Sequence, residues 1–149
     1  TRVLLGYDRA FGSFSVGARI GFAFGGGPKA DEGRGFLPLH AEARVAYWFG
    51  RDPFGRVGPR PYLLLNGGIA QVDAKVPVVA YETKQDYLDD KRLSLDAWKK
   101  TGTAFLGGGV GMLLAITPRT GPLAEIKFAE MLGNSSPTLS LSLGYAVGF

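Results

Sequence analysis

From Thr138 to Phe149 the chain alternates without a fault. One row reads Leu139, Leu141, Leu143, Tyr145, Val147 and Phe149; the other reads Thr138, Ser140, Ser142, Gly144, Ala146 and Gly148. A strand sends successive side chains to opposite faces, so this segment has one large apolar face and one small or polar face. Helical spacing would scatter both rows around a cylinder. The segment is therefore read as a β-strand between two unlike environments, with an aromatic at the far end of its apolar row.

The same pattern recurs along the chain, with turn formers between the repeats. A first strand is expected over Arg2–Asp8, with Val3, Leu5 and Tyr7 together, and a tight turn at Asp8–Gly12. A second covers Ser13–Phe24, with Phe14, Val16, Ala18, Ile20, Phe22 and Phe24 opposed to Ser13, Ser15, Gly17, Arg19, Gly21 and Ala23. Turn formers from Gly25 to Gly33 lead to a third over Leu37–Phe49, where His40, Glu42, Arg44, Ala46 and Trp48 share a face. After the Pro- and Gly-rich Gly50–Pro61, a fourth begins near Tyr62, with Leu63, Leu65 and Ile69 opposed to Asn66, Gly68 and Ala70. Val76–Thr83 and Arg92–Lys100 read as a projecting hairpin with its tip near Lys84–Lys91; a short helix over Leu88–Trp98 is the alternative. A fifth covers Thr101–Ile116, and a sixth Leu123–Leu132, where Ile126 and Phe128 oppose Glu125 and Lys127. The expectation is an all-β, antiparallel, up-and-down barrel in a single domain, with about seven strands readable and about eight when complete.

Composition removes several alternatives. The 149 residues suffice for one domain with a sizeable core. There is no cysteine, so no disulfide framework and no thiolate metal site. Mean hydropathy is +0.07, and no apolar run approaches the roughly 18 residues of a membrane helix. Alternating strands evade such scans, because only every second residue is apolar. The net charge of +4 is scattered through turns and small-residue faces without forming a stripe, so no nucleic-acid partner is expected.

The decisive question is where the apolar rows point. In a water-soluble barrel they point inward, and the opposite face should be rich in Lys, Glu, Thr and Asp. Here that face is mostly Gly, Ala and Ser. Glycine on a solvated exterior would weaken each strand by roughly 0.5–1 kcal/mol relative to alanine. In a narrow lumen it makes room for the few large side chains. Arg19, His40, Glu42, Arg44, Glu125 and Lys127 all fall on the small-residue face, with both signs present. They are expected to form a paired polar cluster inside, since buried charge is tolerated when paired and hydrogen-bonded. The apolar rows then face outward. Glu130 falls on the outward parity, near a strand end.

The closing run Leu139-Ser-Leu-Ser-Leu-Gly-Tyr-Ala-Val-Gly-Phe149 resembles the last strand and assembly signal of small outer-membrane β-barrels of Gram-negative bacteria, the OmpA/OmpX/OmpW-like group. The resemblance covers nearly the whole chain. Gly17–Gly27 and Ala43–Gly50 are also similar in phrasing to barrel proteins of myxobacteria. It implies a location in the cell outer membrane, with lipid and lipopolysaccharide as surroundings and the carboxyl end at the periplasmic side. Leu141, Leu143, Tyr145, Val147 and Phe149 would form the closing strand and assembly signal. Tyr7, Phe14, Tyr47, Phe49, Tyr62 and Phe149 are expected in a periplasmic aromatic girdle, and Phe22, Phe24 and Phe128 in an outer one. Single-chain barrels of this kind have an even number of strands. The count of seven therefore predicts a first strand ahead of Thr1.

No motif points to chemistry. His40 and Glu42 share a face, but no serine on that strand completes a triad, and the pair is read as a lumen hydrogen bond. Asp86, Asp89 and Asp90 lack the spacing of a calcium loop. Gly25-Gly26-Gly27 and Gly107-Gly108-Gly109 precede no helix and no Gly-Lys-Ser/Thr. The expectation is a non-enzymatic envelope protein without cofactor or metal, serving as anchor, scaffold or surface-recognition component, with protein partners in a larger complex. A narrow channel for small or apolar solutes and a soluble ligand-binding barrel are the alternatives.

Overall fold

In the computed structural model the chain is described over residues 1–24, 38–71, 73–81, 83–90, 93–100, 102–133 and 136–148. The expected turn formers Gly25–Gly33 and the terminal Phe149 lie outside the described residues, as does the Asp86 side chain. Among the described residues the fold is all-β apart from one short helical turn. The strands are β1 (Arg2–Phe11), β2 (Phe14–Ala23), β3 (Leu39–Trp48), β4 (Gly58–Ala70), β5 (Asp73–Ala80), β6 (Leu93–Lys100), β7 (Gly102–Ala115), β8 (Thr120–Gly133) and β9 (Ser136–Val147). A helical turn, α1 (Lys84–Leu88), lies between β5 and β6.

Seven strands form one antiparallel sheet in the order β1-β2-β3-β4-β7-β8-β9, curled into a half-barrel. β5 and β6 pair only with each other. This is the up-and-down arrangement expected from the alternating rows, with a two-stranded hairpin inserted between β4 and β7. The hairpin reading of residues 76–100 holds, and the alternative helix over Leu88–Trp98 does not: β6 occupies most of it. β-branched Val76, Val78 and Val79 favour an extended backbone there.

Several strands run longer than the sequence pattern indicates. β1 continues to Phe11, which pairs with Phe14 across a two-residue turn, Gly12-Ser13. Gly12 supplies the positive φ of +61° that such a hairpin turn requires. β4 starts at Gly58, so Pro59 and Pro61 lie inside a strand. β8 starts at Thr120, since Thr117 and Thr120 bridge the turn that follows β7.

The register puts the expected rows on common faces. Gly17 pairs with Arg44, Arg19 with Glu42, and Gly21 with His40 between β2 and β3. Gly111 pairs with Glu125 and Gly109 with Lys127 between β7 and β8. All of these side chains point to the inside of the curl, which holds the core. One apolar cluster there joins Ala46, Trp48, Tyr62, Leu64 and Leu113; a second joins Ala70, Phe105 and Met131. The outside carries the large apolar rows, exposed along every strand of the sheet.

Candidate functional site

Two features stand out physically: an ion-pair network inside the curl and an uncovered apolar surface outside it. The network is built around two buried carboxylates. Glu125 projects from β8 and is 1% exposed. Its Oε2 accepts from Arg19 Nη1 at 2.8 Å and its Oε1 from Arg19 Nη2 at 2.9 Å, a two-pronged pair across the interior from β2. Arg44 Nη1 donates to Oε1 at 2.8 Å, and the Tyr62 hydroxyl donates to the same oxygen at 2.6 Å. The planar guanidinium fork matches a carboxylate edge, which makes the Arg19 contact directional as well as charged.

Glu42 on β3 is the second centre. Lys127 Nζ donates to its Oε2 at 3.2 Å and its Oε1 at 3.5 Å. His40 Nε2 lies 3.2 Å from Oε2, while His40 Nδ1 lies 3.2 Å from Arg2 Nη1. Arginine can only donate, so Nδ1 accepts, and the imidazole proton sits on Nε2 facing Glu42. The two centres touch: Lys127 Nζ is 3.9 Å from Glu125 Oε2. Arg44 Nε reaches Asp8 of β1 at 3.5 Å.

The structure thus brings Arg19, His40, Glu42, Arg44, Glu125 and Lys127 into one interior network, from three strands of the sheet. Isolated strands could not hold such a set; the curl brings β2 and β3 against β8. Small residues leave the space. A Cβ on Gly111 would collide with the Tyr62 ring, so the glycine lets Tyr62 lie flat across β7 and reach Glu125. Below it, Trp48 stacks on Tyr62 with ring centroids 4.2 Å apart, and its indole Nε1 donates to Ser15 Oγ at 2.9 Å.

Sequence reasoning misplaced one member and missed others. Tyr62 is not in an outward girdle; it is buried in the interior. Alternation with the exposed Leu63 and Leu65 requires this, and Glu125 supplies the partner its hydroxyl needs. Arg2, Asp8 and Arg60 also share the inward parity. The signal was present for Asp8 once β1 is carried through to Phe11. Arg60 was hidden between two prolines in what reads as a turn. Among the described residues no cluster of His, Asp and Glu is arranged to hold a metal ion.

Outside, Leu5 is 79% exposed, Leu143 78% and Leu141 70%. The strands of the sheet present only two charges on this face, Arg9 and Glu130, each within three residues of a strand end. At the rim that carries Gly12, the rings of Phe14, Tyr47 and Phe49 form a row, with centroids 5.1 Å and 5.3 Å apart. Phe11, absent from the expected girdle, joins this rim, with Arg9 over its ring at 5.3 Å. Tyr7 stands nearer the middle of β1. Leu141, Leu143, Tyr145 and Val147 form the exposed row of β9.

Comparison with protein-family models, curated proteins and solved structures finds no match for this chain.

Proposed function

We propose that the sheet is the wall of a β-barrel set in a Gram-negative outer membrane. In this reading it works as a non-enzymatic anchor, scaffold or surface-recognition element of the envelope, within a larger assembly. The observation that carries the reading is the inversion of polarity. Ion pairs occupy the inside, and apolar rows, free of charge through their middle stretches, stand uncovered outside on all seven strands of the sheet. Contiguous exposed apolar surface beyond a few hundred Å² marks a surface that something else covers. A belt around the whole curl suits lipid better than one partner protein. Strands of 10–14 residues match the roughly 9–11 residues of a tilted membrane strand plus its rims. Aromatics at the Gly12 rim suit a membrane–water boundary. The carboxyl end of β9 lies at that same rim, on the periplasmic side in this reading.

Arg19, Arg44 and Lys127 reaching Glu125 and Glu42 across the interior favour a filled bore over a channel. The test is fractionation of the native protein, followed by planar-bilayer recording. Retention in outer membranes after alkaline carbonate, extraction only by detergent, and no conductance support the reading. A detergent-free soluble pool refutes the membrane assignment. Steady currents that change when Arg44 is replaced by Ala would make it a channel instead.

A further inference from the structure

We infer that the rim carrying Gly12 is a seat for the phosphates of anionic phospholipid headgroups, held by arginines that the fold gathers there. In the chain these arginines stand far apart, and strand direction brings them to one end. β1, β3, β7 and β9 all finish at this rim, so the connections 12–13, 49–57 and 116–119 share it. Together with the three strand residues adjoining each end, they carry Arg9, Arg51, Arg56, Arg60 and Arg119 against a single acid, Asp52. The rest of the chain holds twelve basic and twelve acidic residues. The whole net charge of +4 therefore belongs to this rim.

None of the five arginines forms an ion pair among the described residues. Arg60 of β4 is 2% exposed, and its Nη2 donates to the carbonyls of Arg56 and, at 3.3 Å, of Pro118. It thereby ties the connection that carries Arg51 and Arg56 to the one that carries Arg119. Its Nε is buried without a hydrogen-bond partner. Arg56 Nη2 donates to Phe49 O at 3.4 Å, passing over Gly50, where a Cβ would lie 2.8 Å from that nitrogen. Asp52 is engaged in its own turn, with Oδ1 accepting from Gly55 N at 3.2 Å. Arg51, Arg56 and Arg119 are exposed. Guanidinium forks with donors to spare match phosphate oxygens two at a time. A buried cation without a counter-ion is costly, and an anion at this mouth supplies one to Arg60.

Position selects lipid over a water-soluble polyanion. Each basic stretch continues an exposed apolar row. On β3 the outward order is Val45, Tyr47 and Phe49, followed by Arg51 beyond the strand; on β7 Leu114 and Ile116 lead to Arg119. Arg9 lies over the ring of Phe11. Aliphatic, aromatic, then cationic is the order of acyl chain, interface and phosphate across half a bilayer. A nucleic acid seated here would meet uncovered leucine and aromatic side chains beside its phosphates. The inference rests on the membrane reading above and deepens it by naming a lipid class for one rim.

The experiment uses the full chain in dodecyl maltoside micelles, titrated with phosphatidylglycerol or phosphatidylcholine, with bound lipid measured by native mass spectrometry. Phosphatidylglycerol is expected to be retained in preference, and less so as salt rises. A basic residue at an anionic surface contributes about fivefold, so R51Q/R119Q should weaken that retention about 25-fold and R56Q alone about fivefold. All three positions are exposed, and tryptophan fluorescence checks that the variants are folded. K84Q/K91Q, which removes two charges between β5 and β6, should leave retention at the parent level. Equal retention of the two lipids, a preference that survives R51Q/R119Q, or the same loss in K84Q/K91Q overturns the inference. Displacement of the lipid by an equal concentration of glycerol phosphate would make the rim a site for free phosphate instead, and tighter binding of a single-stranded oligonucleotide through the same arginines a nucleic-acid surface; either result overturns it too. The two readings fail separately: a protein kept in membranes through alkaline carbonate but without headgroup preference sinks this inference alone, whereas a detergent-free soluble pool sinks both.

Discussion

Replacing Glu125 by Gln keeps the shape of the side chain and removes one charge from the centre of the interior. Its carboxylate takes both prongs of Arg19, one nitrogen of Arg44 and the Tyr62 hydroxyl, all within 2.6–2.9 Å. In E125Q one amide oxygen remains to accept, and the amide nitrogen faces the donors of Arg19 or Arg44. Arg19 is then left without its counter-ion, and Arg44, in a buried site, keeps only Asp8 at 3.5 Å. Breaking a buried pair from one side costs about 3–5 kcal/mol. Set against a total stability of about 5–15 kcal/mol, that is a large share of what holds the domain folded. The assay is urea unfolding followed by tryptophan fluorescence, because Trp48 stacks on Tyr62, the residue bonded to Glu125. The midpoint is expected to fall at an unchanged slope. The double variant R19M/E125Q should lose less than the sum of the single variants, since coupled partners are not additive. An unfolding free energy for E125Q within about 0.5 kcal/mol of the parent, the scatter of an ordinary surface change, refutes the reasoning.

Three other outcomes follow from the same geometry. Leu141→Arg, at mid-strand on the outward row, should cost about 2–4 kcal/mol for folding into phospholipid vesicles, while Val147→Arg at the rim should cost about 0–1 kcal/mol; equal small effects at both positions would argue against lipid contact. Gly111→Ala should lower the unfolding free energy measured in urea by about 1–3 kcal/mol through collision with the Tyr62 ring, and the loss should shrink in a Tyr62→Leu background. Excision of Asp73–Lys100 with a short Gly-Ser bridge should leave the far-ultraviolet dichroism of the sheet intact, because β4 already pairs with β7 as far as Ile69 and Ala104; loss of the sheet signal would show that the hairpin is part of its fold.

Alternation alone determined the main architecture of this protein. Residues of period two with opposed apolar and small rows fix strands, and short turns fix their antiparallel order, so Arg19, Glu42, Arg44, Glu125 and Lys127 could be assigned to one face before any contact was known. Local rules also set limits on what could be read. Pro59 and Pro61 look like turn residues in isolation, and only the partner strand β7, with Leu114 and Met112 opposite them, holds that stretch extended. Tyr62, read as an outward aromatic, is the clearest case: its parity, set by Leu63 and Leu65, pointed inward, and its hydroxyl found Glu125.

What the sequence could not contain is who meets whom across the interior. Arg19 and Glu125 are 106 positions apart and lie on strands that do not neighbour each other in the sheet. Their contact depends on how tightly the sheet curls, a property of all seven strands together. The same curl leaves β1 and β9 with free edges pointing the same way. Pairing on one face is a matter of period and is written in the chain; pairing across a bore is a matter of radius, and only the tertiary structure sets it.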